Sequence, residues 1–255
     1  QMKMFDIPEG RRATKGKSIM NFLSLNNDEK VTSILPMPAR NATHSVAGGP
    51  KESSLNYLML VTKNGTSKKM SGEGFKDVRR SGIIAIRLDK NDQLVSALLV
   101  EKGDEVMVAT SGGQSIRFKE SDIREMGRTA GGVRGIKLGK SDEVVGVDVV
   151  KKENKDGAFL TMSANGFGKK TSLKEYKVQK RGGSGIKTAK VTPKTGKLIV
   201  AKVLTGQEEE LIAMSKKGQV IRTDLKDISS LGRQTQGVTI MRLRAGDNIA
   251  SLTCF

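Results

Sequence analysis

The chain has 255 residues and a formal net charge of +18, with a sequence pI near 10.0. An excess of positive charge this large predicts a polyanionic partner such as DNA, RNA or an anionic membrane. Trp is absent, so the chain has little capacity for base stacking, which disfavours a reader of single strands. It has neither an apolar run of the roughly 18 residues needed to span a bilayer nor a visible signal peptide, so we expect no membrane partner.

The chain contains one cysteine, Cys254, and one histidine, His44. These counts exclude an internal disulfide and a Cys/His metal site, and they fit a reducing cytosol. We interpret the segment 39–54, which holds His44, as an exposed loop, because it is rich in small and polar residues and lacks periodicity.

From the N-terminus onward the chain consists of repeated units. Residues 1–38 are similar to the later part of a unit, and four complete units follow at 55–101, 104–150, 157–204 and 209–253. Each complete unit opens with a short apolar run, which is typical of a buried strand. A tight turn then places a glycine at Gly65, Gly113, Gly166 or Gly218.

A second strand follows each turn, and then an acidic-apolar pair, a basic glycine-rich loop, a third strand and a fourth strand. Four short strands per 45–50 residues indicate an all-β, propeller-like disc of four-stranded blades, with four complete blades and a partial one. A stack of separate barrels is the alternative fold.

Cations recur at two positions of the unit, and we expect both sets to point outward on one rim. The first set lies four residues after each turn glycine: Lys69, Arg117, Lys170 and Arg222. The second set lies on the third strand: Arg87, Lys137, Lys190 and Arg242. Charge is concentrated in the unit 157–204, which has 11 Lys and Arg against one acidic residue. A polyanion should therefore engage this unit first.

The glycine-rich loops combine close backbone approach with the planar fork of arginine, which suits phosphodiester contacts. The alternative is that their glycines only form turns. The further expected DNA contacts, in or beside these loops, are Arg80, Arg128, Arg134, Lys169, Gln179, Lys180, Arg181, Gly182, Gly183, Gly185 and Arg233.

Residues 179–185 resemble the glutamine-arginine-arginine-glycine-glycine-lysine-glycine box of the C-terminal domain of gyrase A, the DNA-cleaving component of DNA gyrase. Six of the seven positions keep the residue type, and Ser184 is the exception. Residues 118–121, 126–127, 132–138 and 232–238 also resemble this family, so the resemblance covers essentially the whole chain.

The resemblance implies a β-pinwheel, whose strand order differs from that of a common propeller, with duplex DNA wrapped around its basic rim. It implies that the gyrase A catalytic core and gyrase B are partners in ATP-dependent negative supercoiling. Catalytic residues, ATP and Mg²⁺ are then expected on other domains or proteins of the holoenzyme, and the location is cytoplasmic and nucleoid-associated. The family's box belongs to the first blade, so we interpret residues 179–185 as a repeat copy in a fragment that lacks that blade.

Other functions stay open at this point. The matching C-terminal domain of topoisomerase IV is similar but would bend DNA without strong chiral wrapping. A propeller that binds RNA or protein as a scaffold is a second alternative. An enzyme in its own right is the weakest, because no nucleophile–base pair or paired carboxylates recur outside the repeat.

Overall fold

The computed structural model of the chain describes residues 2, 4–10, 16–26, 29–36, 57–75, 78 and 82–255. The expected loop at 39–54, with His44, and the candidate Arg80 lie outside these residues. Within them the chain forms fifteen strands and six short 3-10 helices, and no α-helix. No helix in the described part of the chain is long and apolar enough to cross a bilayer.

The strands fall into the predicted units. In the unit 55–101 they are β1 (Tyr57–Thr62), β2 (Thr66–Ser71) and β3 (Leu94–Val100). In the unit 104–150 they are β4 (Glu105–Thr110), β5 (Gln114–Lys119), β6 (Val133–Arg134) and β7 (Val144–Val150). In the unit 157–204 they are β8 (Ala158–Ser163), β9 (Phe167–Ser172), β10 (Ile186–Lys187) and β11 (Leu198–Leu204). In the last unit they are β12 (Glu210–Ser215), β13 (Val220–Asp224), β14 (Val238–Thr239) and β15 (Ile249–Cys254).

The 3-10 helices occupy two places in the chain. Two of them lie in the first segment, at Met4–Asp6 and Ile19–Asn21. The other four follow the second strand of each complete unit, at Gly72–Phe75, Glu120–Asp122, Leu173–Glu175 and Leu225–Asp227. The described residues of 1–36 contain no strand, and the predicted third strand around Arg87 is not formed in the described residues 82–93.

The apolar runs form strands because both of their faces are covered. All six residues of β4 are buried, which is typical of a strand packed between two layers. The hairpin that follows turns at Gly113, which has φ +82°. A side chain at Gly113 would also meet the carbonyl oxygen of Ala189, 2.6 Å from the position of its Cβ. Both the backbone conformation and the lack of space therefore require glycine at this turn.

Each of the first three sheets takes its fourth strand from the next unit. The sheet orders are β3-β1-β2-β6, β10-β5-β4-β7, β11-β8-β9-β14 and β13-β12-β15. The third strand of a unit therefore completes the sheet of the preceding unit, whereas the repeat pattern suggested that each unit builds its own blade. This order is the pinwheel arrangement that the family resemblance implied. The last sheet has three strands within the described residues.

The sheets pack face to face around a centre. Successive sheets share apolar clusters, such as Met59 and Val61 of β1 with Val106 and Val108 of β4. The strands β3, β7, β11 and β15 contact one another in sequence and form the inner edge, which places β6, β10 and β14 at the outer edge. The propeller-like disc is thus confirmed, and the stack of separate barrels is wrong.

Candidate nucleic-acid interface

The outer strands present cations in a common register. Arg134 pairs with Thr66, Lys187 with Gln114, and Thr239 with Phe167, so the first residues of these pairs hold equivalent places on β6, β10 and β14. Arg134 and Lys187 are exposed. Sequence reasoning missed Lys187, although it stands two residues after Gly185 just as Arg134 stands two residues after Gly132.

A second set of exposed cations lies three residues further along each of these segments. Lys137, Lys190 and Arg242 are exposed, as is Arg87 in the first complete unit, so the predicted outward orientation of this set is confirmed. We use the term rim cations for the exposed basic residues on or just beyond the outer strands: Arg134, Lys137, Lys187, Lys190 and Arg242. None of them forms an ion pair with another described residue.

The outward orientation expected for the first cation set is wrong for Lys69 and Arg117. Lys69 is 7% exposed; its ammonium forms an ion pair with Glu120 and lies 4.8 Å from the centre of the Tyr57 ring. Arg117 is 6% exposed, and its Nε donates to Glu105 Oε2 at 2.6 Å. Neither side chain is available to DNA in this structure.

The other two members of this set are also held by the protein. The Lys170 ammonium donates to the Leu225 carbonyl at 2.6 Å. Arg222 is exposed but forms an ion pair with Glu210 and lies 5.7 Å from the Phe255 ring centre.

A structural role explains the recurrence of the first cation set. Lys69, Arg117 and Lys170 each donate to the carbonyl of the first residue of the next unit's 3-10 helix, at Glu120, Leu173 and Leu225 respectively. These side chains therefore join one blade to the next.

Lys169 also turns inward, so its assignment as a DNA contact is wrong. It is 1% exposed, and its ammonium donates to the carbonyls of Gly232 at 2.6 Å and Arg233 at 2.7 Å. Burial lowers the pKa of Lys169 to about 8, Glu175 opposes the shift and Arg233 adds to it. The ammonium is thus part of the interior.

The glycine-rich loops run along the outer edge, where their arginines bridge adjacent units. The Nη1 of Arg181 donates to the Arg134 carbonyl, and the Nη1 of Arg233 donates to the Lys187 carbonyl, both at 3.0 Å. Both arginine residues are partly exposed beside rim cations. Arg128, which precedes Arg134 in its loop, is exposed.

The box-like segment 179–185 has one fully accessible cation. The Lys180 side chain is 92% exposed and reaches Asp122 at 3.2 Å. Gln179 is held by its backbone, whose N–H donates to the Arg117 carbonyl at 2.7 Å. The Gly182 N–H donates to the Gly135 carbonyl at 2.6 Å, so it serves a contact within the protein.

Gly185 is required by the fold. Its φ is +73°, and a Cβ there would collide with the Ser115 carbonyl oxygen. Gly183, in contrast, has an ordinary φ, and the nearest atom to an added Cβ is Ile116 Cδ1 at 3.8 Å.

We expect Gly185→Ala to lower the free energy of unfolding by more than about 1 kcal/mol, because both its backbone conformation and its neighbour oppose a side chain. Gly183→Ala is the matched control and should leave stability nearly unchanged. Urea denaturation of both variants gives the comparison. Equal stability of the two would contradict the close approach of the two backbones.

Comparisons with known proteins agree with this architecture. The family model described as "DNA gyrase C-terminal domain, beta-propeller" matches residues 1–36, 56–101, 104–151, 158–205 and 209–255. The DNA gyrase A protein of Staphylococcus epidermidis is 36% identical over 252 residues, which are 99% of this chain and 27% of that protein. Its counterpart in Staphylococcus aureus is 37% identical over 243 residues, which are 95% of this chain and 26% of that protein.

Solved structures show the same fold. A DNA gyrase A C-terminal domain superposes with a TM-score of 0.78 and 27% identity, covering 95% of this chain and 76% of that one. The C-terminal domain of a DNA topoisomerase IV superposes with a TM-score of 0.81 at 23% identity, covering 94% of this chain and 70% of that one, and supports the fold alone. The chain spans about a quarter of the length of its gyrase relatives. From the five matched segments and these likenesses, the chain belongs to the DNA gyrase C-terminal domain family.

Proposed function

We propose that this domain binds duplex DNA with little sequence preference and wraps it around the outer edge of the disc. The observation that carries the proposal is the register of the rim cations. They lie on or just beyond successive outer strands, are exposed, and form no ion pair with other described residues. A regular series of cations along one edge follows a phosphate backbone and reads no bases. The membership of the chain in the gyrase family supports the same function.

The unit 157–204 contributes most to DNA binding, because it carries most of the positive charge. This unit has 11 Lys and Arg and one acidic residue, which give +10, whereas the unit 104–150 has 7 basic and 8 acidic residues, which give −1. The basic unit contributes Lys187 on β10 and Lys190 just beyond it, and its neighbour contributes Arg134 on β6 and Lys137 just beyond it. On β14, Thr239 holds the register position that Arg134 and Lys187 hold on the other two outer strands. The last blade therefore offers fewer cations for phosphate contacts.

Wrapping must offset the cost of bending DNA. Smooth bending of 20–30 bp by 40–90° costs on the order of 1–6 kcal/mol. Counterion release from about six neutralised phosphates gives a log–log salt slope of roughly −5 and offsets that cost at moderate salt. The rim cations with the loop residues Arg128, Lys180, Arg181 and Arg233 supply enough positive charge for that number of contacts.

In the whole protein, the domain serves an ATP-dependent type II topoisomerase. Wrapping presents a DNA segment to the gyrase A catalytic core, and gyrase B supplies ATP hydrolysis. ATP and Mg²⁺ belong to those other parts, and no catalytic step falls to this domain. A cytoplasmic, nucleoid-associated location follows from this role.

A topology experiment separates wrapping from simple bending. The domain is added to nicked circular DNA, which is then ligated and freed of protein, and the linking number is measured. We expect a shift of one sign that grows with the amount of protein, because a chiral wrap stores writhe. Binding without a shift would favour the bending function expected of a topoisomerase IV domain. Preference for RNA over duplex DNA in competition would instead favour a scaffold and overturn the proposal.

A further inference from the structure

Two lysines hold the glycine-rich loops from inside the disc. Lys68 and Lys169 precede Lys69 and Lys170 by one residue, and they are 0% and 1% exposed. The Lys68 ammonium donates to the carbonyls of Ala85 at 2.7 Å, Arg128 at 2.6 Å and Ala130 at 2.8 Å. Each lysine therefore reaches past its own sheet into the loop of the following unit.

Lys169 repeats the same contacts two unit interfaces further along the chain. Its ammonium donates to the carbonyls of Gly232 at 2.6 Å, Arg233 at 2.7 Å and Thr235 at 3.1 Å. Arg233 occupies the place in its loop that Arg128 has in the earlier loop, and Thr235, two residues later, corresponds to Ala130. Both lysines thus donate hydrogen bonds to the carbonyl of the loop arginine and to the carbonyl two residues beyond it.

The intervening blade has no such lysine. Ile116 stands at the equivalent place on β5, and Gly183 of the box-like loop lies above it. Two residues of that loop instead bind the preceding unit. Arg181 Nε donates to the Asp122 carbonyl at 2.8 Å, and the Lys180 ammonium donates to the Asp122 carboxylate. Isoleucine also stands at this place in the last sheet, as Ile221.

Burying an ammonium is unfavourable unless all its protons are hydrogen-bonded. Ile116 shows that an apolar residue serves the packing of this position. The Lys68 ammonium has three backbone carbonyls as acceptors, and the Lys169 ammonium has three backbone carbonyls and the Thr235 hydroxyl at 3.0 Å; no carboxylate of a described residue accepts from either. A cation that binds several carbonyls at once fixes the path of the chain that carries them.

We propose that Lys68 and Lys169 are positioning residues of the DNA interface, each shaping the following unit's loop so that Arg128 or Arg233 stands at the rim. The inference rests on the proposed function. Lys169 holds the backbone of Arg233 from inside, while the Lys187 carbonyl holds its guanidinium from the rim. The loop arginine is thereby fixed at both ends.

A double-mutant cycle on DNA affinity tests this role. If Lys169 acts through Arg233, the loss caused by Lys169→Met should shrink by at least about threefold in the Arg233→Ala background. In the Arg181→Ala background the same change should keep its full effect, because that loop has no lysine beneath it. If Lys169→Met caused the same fold-loss of DNA affinity with and without Arg233, the positioning role would be overturned.

The companion pair gives an independent copy of the test. The loss of DNA affinity caused by Lys68→Met should shrink in the Arg128→Ala background. In the Arg233→Ala background it should keep its full size. Coupling of Lys68→Met to both arginines alike would indicate general loss of stability instead of loop positioning. Should Lys169→Met fail to fold, Lys169→Ile replaces it, because isoleucine occupies the equivalent place at Ile116 and Ile221.

Hydrogen exchange in the free protein separates this inference from the proposed function. The Lys190 amide donates to the Thr235 carbonyl at 3.0 Å and should exchange faster in Lys169→Met. The Lys137 amide, which donates to the Gly183 carbonyl at 2.9 Å, should be unchanged. Unchanged exchange at Lys190 would overturn the positioning role even if DNA binds, whereas failure to bind DNA with altered exchange would discredit the proposed function alone.

Discussion

Arg117→Ala is expected to lower the free energy of unfolding by about 3 kcal/mol, the lower end of the range for breaking a buried ion pair. The substitution leaves the Glu105 carboxylate buried without its partner. It also removes the donor to the carbonyls of Leu173 at 2.8 Å and Tyr176 at 3.2 Å. Lys155, 3.4 Å from Glu105, offsets part of the loss. Urea denaturation measures it.

Arg222→Ala is the matched control, because Arg222 holds the same place in the last sheet and pairs with Glu210 in solvent. Its loss of stability should be far smaller, since exposed pairs are screened by water. A small loss at both positions, combined with weakened DNA binding by Arg117→Ala, would mean that the first cation set serves DNA after all.

Replacing Arg134, Lys137, Lys187 and Lys190 together by alanine is expected to weaken duplex DNA binding by at least about 100-fold at moderate salt. Each cation neutralises a phosphate in the proposed path, and each lost contact removes about 0.9 from the log–log salt slope. The four side chains are exposed and make no ion pairs with described residues, so the free energy of unfolding should change little.

The control carries the same change of charge at positions away from the outer strands. Lys90, Lys102, Lys152 and Lys216 are exposed residues outside the strands. Their joint replacement by alanine lowers the net charge from +18 to +14, as the rim variant does. Equal losses of affinity in the two variants would show that overall charge, and not the rim register, binds DNA.

The orientation of the first cation set could not be predicted from sequence. Alternation correctly placed Arg117 opposite its apolar neighbours Ile116 and Phe118. It could not tell that this opposite face is also buried, because in a disc of stacked blades both faces of a sheet meet protein. Only the partners of the side chain, such as Glu105 on the adjacent strand and Leu173 in the next unit, decide the outcome.

The exchange of third strands between units could not be predicted from the sequence either. The strands β6, β10 and β14 have two residues each, too few for an apolar pattern, and their partners lie in the preceding unit. The repeat spacing nevertheless predicted the hairpins, the turn glycines and the exposure of the second cation set, because those depend on local sequence. The placement of that set on the third strands was wrong, since Lys137, Lys190 and Arg242 lie beyond the two-residue strands and no strand forms around Arg87 in the described residues 82–93. Lys187 was within reach of the same reasoning, since its distance from Gly185 matches that of Arg134 from Gly132.

The salt dependence of duplex DNA binding tests the central claim most directly. A titration of the domain over a range of salt concentrations should give a log–log slope of roughly −5 for the unaltered protein. The slope should become shallower by about 3 to 4 in the variant that lacks Arg134, Lys137, Lys187 and Lys190. A flat response of the unaltered protein, or the same slope in both proteins, would contradict a DNA path along the outer strands.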